Sequence, residues 1–191
     1  ETAGRFADQA ASMVCALLWL TRCSRPDIAY AVGYLAKHVS DWSLASDKAL
    51  ENLMAYLQCT ADLALHFWVA PGDRLIPVGF SDAGHGGCPT TARGTTGTCT
   101  FLAGPRGSCV LVSWASRRQS CAAASTAEAE LVAINELMRK VLLPMSSFME
   151  QTVGKTATVA CSDSAAALGA LGHGTSTVMR YVRKTHRISL A

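Results

Sequence analysis

Long hydrophobic runs are missing from this sequence. The longest, residues 11–20, spans about ten positions and contains Ser12, whereas a membrane helix needs roughly twenty, so no membrane partner is expected. No basic stretch leads into a small-residue cleavage pattern at the N-terminus, and no secretory signal is expected either. The chain opens on Glu1 rather than Met, which reads as a piece of something longer. Eight cysteines, at 15, 23, 59, 88, 99, 109, 121 and 161, include no CxxC pair and lack zinc-site spacing. A chain this rich in Leu, Val and Ile has no need of disulfides, so reduced, buried cysteines in an intracellular protein are expected. Charged residues are scarce at 16%, aromatics at 7% and Pro at 6, and no segment repeats, which excludes collagen-like, coiled-coil and low-complexity chains.

What the sequence does hold is apolar material for a core. Hydrophobic residues fill 50% of 191 positions, enough for one domain or a compact domain with a helical extension. The net charge of +3 is unevenly spread: residues 1–74 carry six Lys and Arg against eight Asp and Glu, and residues 75–191 carry eleven against six. Nucleic-acid contact is therefore expected of the second part.

Periodicity separates the same two parts. Residues 1–70 read as helices: Phe6 to Leu20, then Ile28 to His38 after a capped start at Ser24-Arg25-Pro26-Asp27, then Ala45 to Gln58. No catalytic grouping is visible there, and the segment reads as a packing or connector module. Residues 75–191 alternate instead. Strands are expected over Leu75–Asp82, Thr96–Leu102 and Cys109–Trp114, followed by a long helix from Ser125 to about Met149, a strand over Thr156–Cys161 and an Ala-rich helix over Ala165–Leu171. That order describes an α/β domain with a mixed sheet.

Six acids lie in the second part, and their phase separates them. Ile76, Val78 and Phe80 share one strand face, and Asp82 continues it; Ala157, Val159 and Cys161 share another, and Asp163 continues that. Two carboxylates thus stand where an apolar, core-facing side of each strand is expected to run out, which calls for something positive between them. Ser125-Thr126-Ala127-Glu128 has capping-box spacing, giving Glu128 a structural task. Glu130 instead shares a helical stripe with Ile134, Leu137, Met138 and Val141 and is expected to face the sheet. Asp82, Glu130 and Asp163 together would form a hard, all-oxygen cation site, suited to Mg²⁺ or Mn²⁺ rather than zinc. His85 and His173 lie in Gly-rich turns and read as surface residues. The segment holding Arg180, Arg183, Lys184, His186 and Arg187 is basic, either a phosphate-contacting helix or a solvated face.

Several linked motifs then match a family. Phe80-Ser81-Asp82-Ala83, Arg93-Gly94-Thr95-Thr96-Gly97, Val112-Ser113-Trp114-Ala115-Ser116-Arg117-Arg118-Gln119, Ser125-Thr126-Ala127-Glu128-Ala129-Glu130-Leu131 and Cys161-Ser162-Asp163-Ser164-Ala165-Ala166 resemble, in order and spacing, the ribonuclease H domain of copia-type LTR retrotransposon polyproteins. Ser24-Arg25-Pro26-Asp27-Ile28-Ala29-Tyr30-Ala31-Val32 and Ala55-Tyr56-Leu57-Gln58-Cys59-Thr60 resemble the segment joining reverse transcriptase to ribonuclease H in those elements.

The resemblance implies a ribonuclease H-like α/β fold, a mixed sheet with flanking helices, over residues 75–191, preceded by a helical connector over 1–70. Asp82, Glu130 and Asp163 fall on three of the family's four acidic, catalytic metal ligands, and Arg93, Arg117, Arg118, Arg180, Arg183, Lys184 and Arg187 become the expected contacts to nucleic acid. The implied reaction is two-metal, Mg²⁺-dependent cleavage of the RNA strand of an RNA–DNA hybrid during reverse transcription, leaving a 5′ phosphate and a 3′ hydroxyl. Selectivity would rest on 2′-hydroxyl and backbone shape. A reverse transcriptase core is expected upstream in the same polyprotein, acting in a cytoplasmic virus-like particle or the nucleus. The family's last strand and its fourth metal-binding Asp would follow Ala191, so the chain is expected to be truncated and weakly active or inactive. The alternative is a decayed or domesticated copy that binds nucleic acid or protein without cutting.

Overall fold

A computed structural model describes residues 2–87, 91–173 and 188. The chain divides into two compact units, residues 1–66 and 67–191.

The first unit holds α1 (Ala10–Cys23), α2 (Ala29–Lys37) and α3 (Leu44–Cys59), linked by short 3₁₀ turns. Ser43 begins α3 from extended backbone, and Ser43 and Ser46 cap one another reciprocally. Val14 and Leu17 of α1, Val32 and Leu35 of α2, and Leu50 and Leu53 of α3 bury the apolar stripes in one core. The two motifs singled out in this region meet each other. Buried Arg25 donates through Nη2 to Asp27 Oδ2 at 2.8 Å and to Thr60 Oγ1 at 2.6 Å, and through Nη1 to the Thr60 carbonyl at 3.0 Å. The Tyr56 hydroxyl closes the network on Asp27 Oδ2 at 3.0 Å. The Arg25 hydrogen bonds hold the Asp27 carboxyl below the usual range. These residues tie the start of α2 to the end of α3, a structural task.

In the second unit β1 (Ile76–Gly84), β2 (Thr95–Ala103), β3 (Cys109–Arg118) and β4 (Val159–Cys161) form a mixed sheet in the order β3-β2-β1-β4. The β1–β2 and β2–β3 pairs are antiparallel, and β1–β4 is parallel. Between β3 and β4 runs one long helical segment: α4 (Thr126–Leu137), a π-turn (Met138–Leu142) and α5 (Leu143–Val153); α6 (Ala165–His173) follows β4. Residues 67–74 belong to this unit, because Trp68 pairs with Cys109 through bonds of 3.2 and 2.9 Å. β4 is shorter than the expected strand from Thr156, and β3 extends four residues past Trp114 to take in Arg117 and Arg118.

The π-turn has a local cause. Pro144 offers no N–H to the carbonyl four residues back and crowds it, so the helix widens by one residue. That shifts the buried stripe: the expected Val141 gives way to Leu142, which is fully buried. Leu137 and Leu142 close on β1 over Gly79, where an added Cβ would stand 3.0 Å from a methyl of each.

Gly79 also settles the faces of the sheet. Pro77, Gly79, Ser81 and Ala83 are the covered side of β1. Ile76, Val78, Phe80 and Asp82 do share a face, as expected, but it is not the core-facing one: Phe80 is 44% exposed and Val159 on β4 is 38% exposed. The expectation of buried cysteines is also corrected. The seven described cysteines are free, but Cys15, Cys23, Cys59 and Cys109 are exposed and the others half-buried, since they fall beside rather than on the buried stripes. Among the described residues, no helix is long and apolar enough to cross a membrane.

Candidate metal centre

The parallel ladder between β1 and β4 places two of the acids. Val78 pairs with Val159 and Phe80 with Cys161; two residues further on, beyond the ladder, come Asp82 and Asp163. Both are exposed where the two strand ends lie side by side.

The third acid arrives from α4. Ser125 opens that helix from extended backbone, its hydroxyl accepting from the Glu128 N–H at 3.2 Å. Glu128 answers as a capping residue, although its Oε2 accepts from the N–H of Ala124, one residue before the N-cap, at 2.7 Å. Ala83, Ala123, Ala129 and Ala133 form a seam of small side chains that lets α4 lie close to the end of β1. Glu130 is therefore only 4% exposed. β4 ends opposite Phe80, so Ala83 has no β4 partner, and its N–H donates to Glu130 Oε1 at 3.1 Å. Glu130 Oε2 is buried without a partner among the described residues.

One carboxylate oxygen from each of Asp82, Glu130 and Asp163 lies within 4.8 Å of the other two. Burial pushes the Glu130 carboxyl up, and the negative Asp82 and Asp163 add to the rise, while the Ala83 N–H and the Ser162 hydroxyl oppose it. Among the described residues none of the three has a basic ion-pair partner; the ion pairs of this unit come down to Glu136 with Lys140. The arrangement is thus a concentrated negative charge with hard oxygen donors, contributed by one buried and two exposed carboxylates. It suits a divalent cation.

The expected nucleic-acid residues are not gathered in the same way. Arg93 is half-buried and Arg117 and Arg118 are exposed. Being consecutive on β3, Arg117 and Arg118 project from opposite faces of the sheet. Arg117 lines a cleft of about 220 Å³ with Thr96, Thr98, Ser113, Glu136 and Lys140. Arg180, Arg183, Lys184 and Arg187, with His186, lie outside the described residues. His85 and His173 are exposed, and neither joins the cluster of three carboxylates. Sequence reasoning missed Lys140, whose approach to the sheet follows from the π-turn, and Gln119, which is 1% exposed at the end of β3. A lone polar residue closing a strand after two arginines was the available signal for Gln119.

Comparison with known proteins finds relatives at modest identity. An uncharacterised mitochondrial protein of Arabidopsis thaliana is 34% identical over 123 residues, 64% of this chain and 48% of the relative. Secreted RxLR effector protein 161 of Plasmopara viticola is 36% identical over 131 residues, 69% of this chain and 87% of the relative. The retrovirus-related Pol polyprotein from transposon TNT 1-94 of Nicotiana tabacum is 32% identical over 132 residues, 69% of this chain and 9% of the polyprotein. The chain thus spans about half the length of the Arabidopsis relative and a small part of the tobacco one. No family model and no solved structure matches the chain.

Proposed function

The chain belongs to the family that joins the Plasmopara viticola protein to a region of retrotransposon polyproteins, and from that membership we propose that its second unit is a retroelement ribonuclease H. The observation that carries the reading is the meeting of Asp82, Glu130 and Asp163 within 4.8 Å, with the buried Glu130 Oε2 left unpaired. The donor set fits Mg²⁺ or Mn²⁺: among the described residues it is three carboxylates, with no sulfur and no imidazole. A ribonuclease H-like fold agrees with the mixed order of the sheet and with α4 crossing the end of β1.

Two bound cations would neutralise a phosphodiester and lower the pKa of the attacking water. The protein's own part is to hold the carboxylates in place beforehand. Glu130 is rooted, held by the Ala83 N–H and screened from water by α4. Asp82 and Asp163 stand at the exposed rim, where a phosphate backbone has access. Arg117 and Lys140, in their cleft on the helix-covered side of the sheet, supply charge for a second stretch of backbone. The substrate in this reading is an RNA–DNA hybrid, and the reverse transcriptase core is encoded in the same polyprotein.

The test is incubation of the full chain with end-labelled hybrid in Mg²⁺, beside Asp82→Asn. Cleavage confined to the RNA strand, with 3′-hydroxyl products and none from the variant, is the expected result. Hybrid binding that weakens steeply with salt, with Mg²⁺ bound and no cutting, would favour the non-catalytic copy. Absence of Mn²⁺ binding by the wild type would refute the metal centre itself.

A further inference from the structure

We propose that Gln119 is a positioning residue that fixes where the Glu130 carboxylate stands against β1. The proposal rests on the metal-centre reading above. Gln119 closes β3 and has its amide at the heart of the second unit. Its Nε2 donates to Thr96 Oγ1 at 3.1 Å and to the Ala129 carbonyl at 2.9 Å. Thr96 is the register partner of Ala83 in the β1–β2 ladder. Ala83 donates its N–H to Glu130 Oε1, and Ala129 precedes Glu130 in the chain. These links close a ring: from Glu130 to Ala83, across the ladder to Thr96, through the Gln119 amide to Ala129, and back to Glu130.

The ring matters because the packing next to Glu130 does little to set its position; Leu137 seats α4 on Gly79 two turns further along. At the Glu130 end the seam between α4 and β1 is made of alanines, whose methyl groups interdigitate little. Directional hydrogen bonds supply the missing restraint. A neutral amide suits the place, since one planar group brings two donors to two acceptors without burying a charge. Gln119 Oε1, by contrast, is buried without a partner. The backbone closes over it at Gly94, where a Cβ would fall 2.4 Å from the Gly84 carbonyl oxygen and 2.9 Å from Gln119 Oε1, and Gln119 N donates to the Gly94 carbonyl at 2.8 Å. An apolar side chain of the same volume would fill this space and avoid the unpaired oxygen. The amide's return is the link between Thr96 and Ala129.

The experiment is Mn²⁺ binding to the full chain, followed by electron paramagnetic resonance below every unfolding transition. The proteins are wild type, Gln119→Met, Thr96→Val, the double variant and Leu131→Ala. Leu131 is buried on α4 in the cluster shared with α6 and takes no part in the ring, so its truncation is the stability control. Gln119→Met is expected to weaken Mn²⁺ binding by roughly tenfold or more, as loss of a ligand-orienting partner does. Thr96→Val opens the same ring and should weaken binding in the same direction, with the double variant no worse than Gln119→Met alone. Leu131→Ala should lower the Tm at least as far and leave Mn²⁺ binding within about twofold of wild type. Unchanged binding in Gln119→Met, additive losses in the double variant, or losses that follow Tm across the whole set would each overturn the positioning role. Should Gln119→Met fail to fold, Thr96→Val decides by itself, and unchanged affinity there overturns the proposal. A wild type that binds no Mn²⁺ overturns the metal reading and this role with it, a pattern distinct from a binding wild type with indifferent variants.

Discussion

Replacing Glu130 with Gln should make the metal-free protein more stable and the metal-loaded protein less so. Gln keeps the volume and still offers an oxygen to the Ala83 N–H, so the change isolates the charge. At the 4.8 Å outer limit of separation, each like-charge pair costs about 3.5 kcal/mol at an effective dielectric of about 20. Asp82 and Asp163 are exposed, so solvent and salt remove most of that, and a net relief of roughly 1–3 kcal/mol remains once desolvation of Glu130 is included. For a unit of this size that is a rise of about 3–5 °C in Tm per kcal/mol, measured in EDTA. Mg²⁺ at a thousand times its Kd stabilises the wild type by about 4.1 kcal/mol, a gain the variant forgoes, so the two melting curves should change order on adding metal. The pH dependence has a definite sign. The folded-state value of Glu130 lies above its ordinary 4.5, so the folded protein binds this proton more tightly. Its contribution is fully present below pH 4.5 and lost as the pH rises through the raised value, and Glu130→Gln should flatten that part of the metal-free stability profile. A variant that melts lower than wild type in EDTA, or that gains as much from Mg²⁺, would refute the argument.

Glu128→Gln should leave Mn²⁺ affinity within about twofold of wild type, because Gln still accepts from the Ala124 N–H and the side chain serves the cap; isothermal titration showing a loss equal to that of Glu130→Gln would mean that the phase of α4 has been misread. Gly79→Ala should cost about 1–3 kcal/mol in denaturant unfolding, since its methyl would stand 3.0 Å from Leu137 and Leu142 in a packed layer; a neutral outcome would show that α4 and the π-turn are not seated on β1 as described.

Much of the second unit was legible from periodicity, and the errors have identifiable causes. The helix carrying Glu130 is announced by its cap and its stripe, and Glu130 is buried with Ile134 and Leu137 as the phase requires. The stripe then fails at Val141, because a period of 3.6 cannot anticipate the residue inserted when Pro144 breaks the ladder. Strand alternation put Asp82 on the face of Ile76, Val78 and Phe80, as β1 has it, and Asp163 falls just past the end of β4, but alternation gave those faces the wrong neighbour. Alternation alone tells which residues share a side; which side a helix covers depends on the partner element. Here the apolar Ile76, Val78 and Phe80 are the open side, and the small Gly79, Ser81 and Ala83 are the covered one. In the first unit, Arg25, Asp27, Tyr56 and Thr60 were visible as motifs, and their meeting across two helices became visible only with the tertiary structure.

The small residues that concealed the covered face also make the acidic site. A helix can approach a sheet closely only where neither surface carries bulk, and Gly79, Ala83, Ala129 and Ala133 satisfy that on both sides. Close approach brings the backbone of α4 near enough for a Glu side chain to reach the Ala83 N–H while remaining buried. A larger residue at position 83 or 129 would lift the helix, and Glu130 would lose both its donor and its neighbours across the end of β4. The same closeness costs stability when the site is empty, because it drives a carboxylate out of water beside two others. The seam of alanines, the unpaired Glu130 Oε2 and the raised Glu130 carboxyl are therefore three expressions of one feature, the tight seating of α4 on the end of β1.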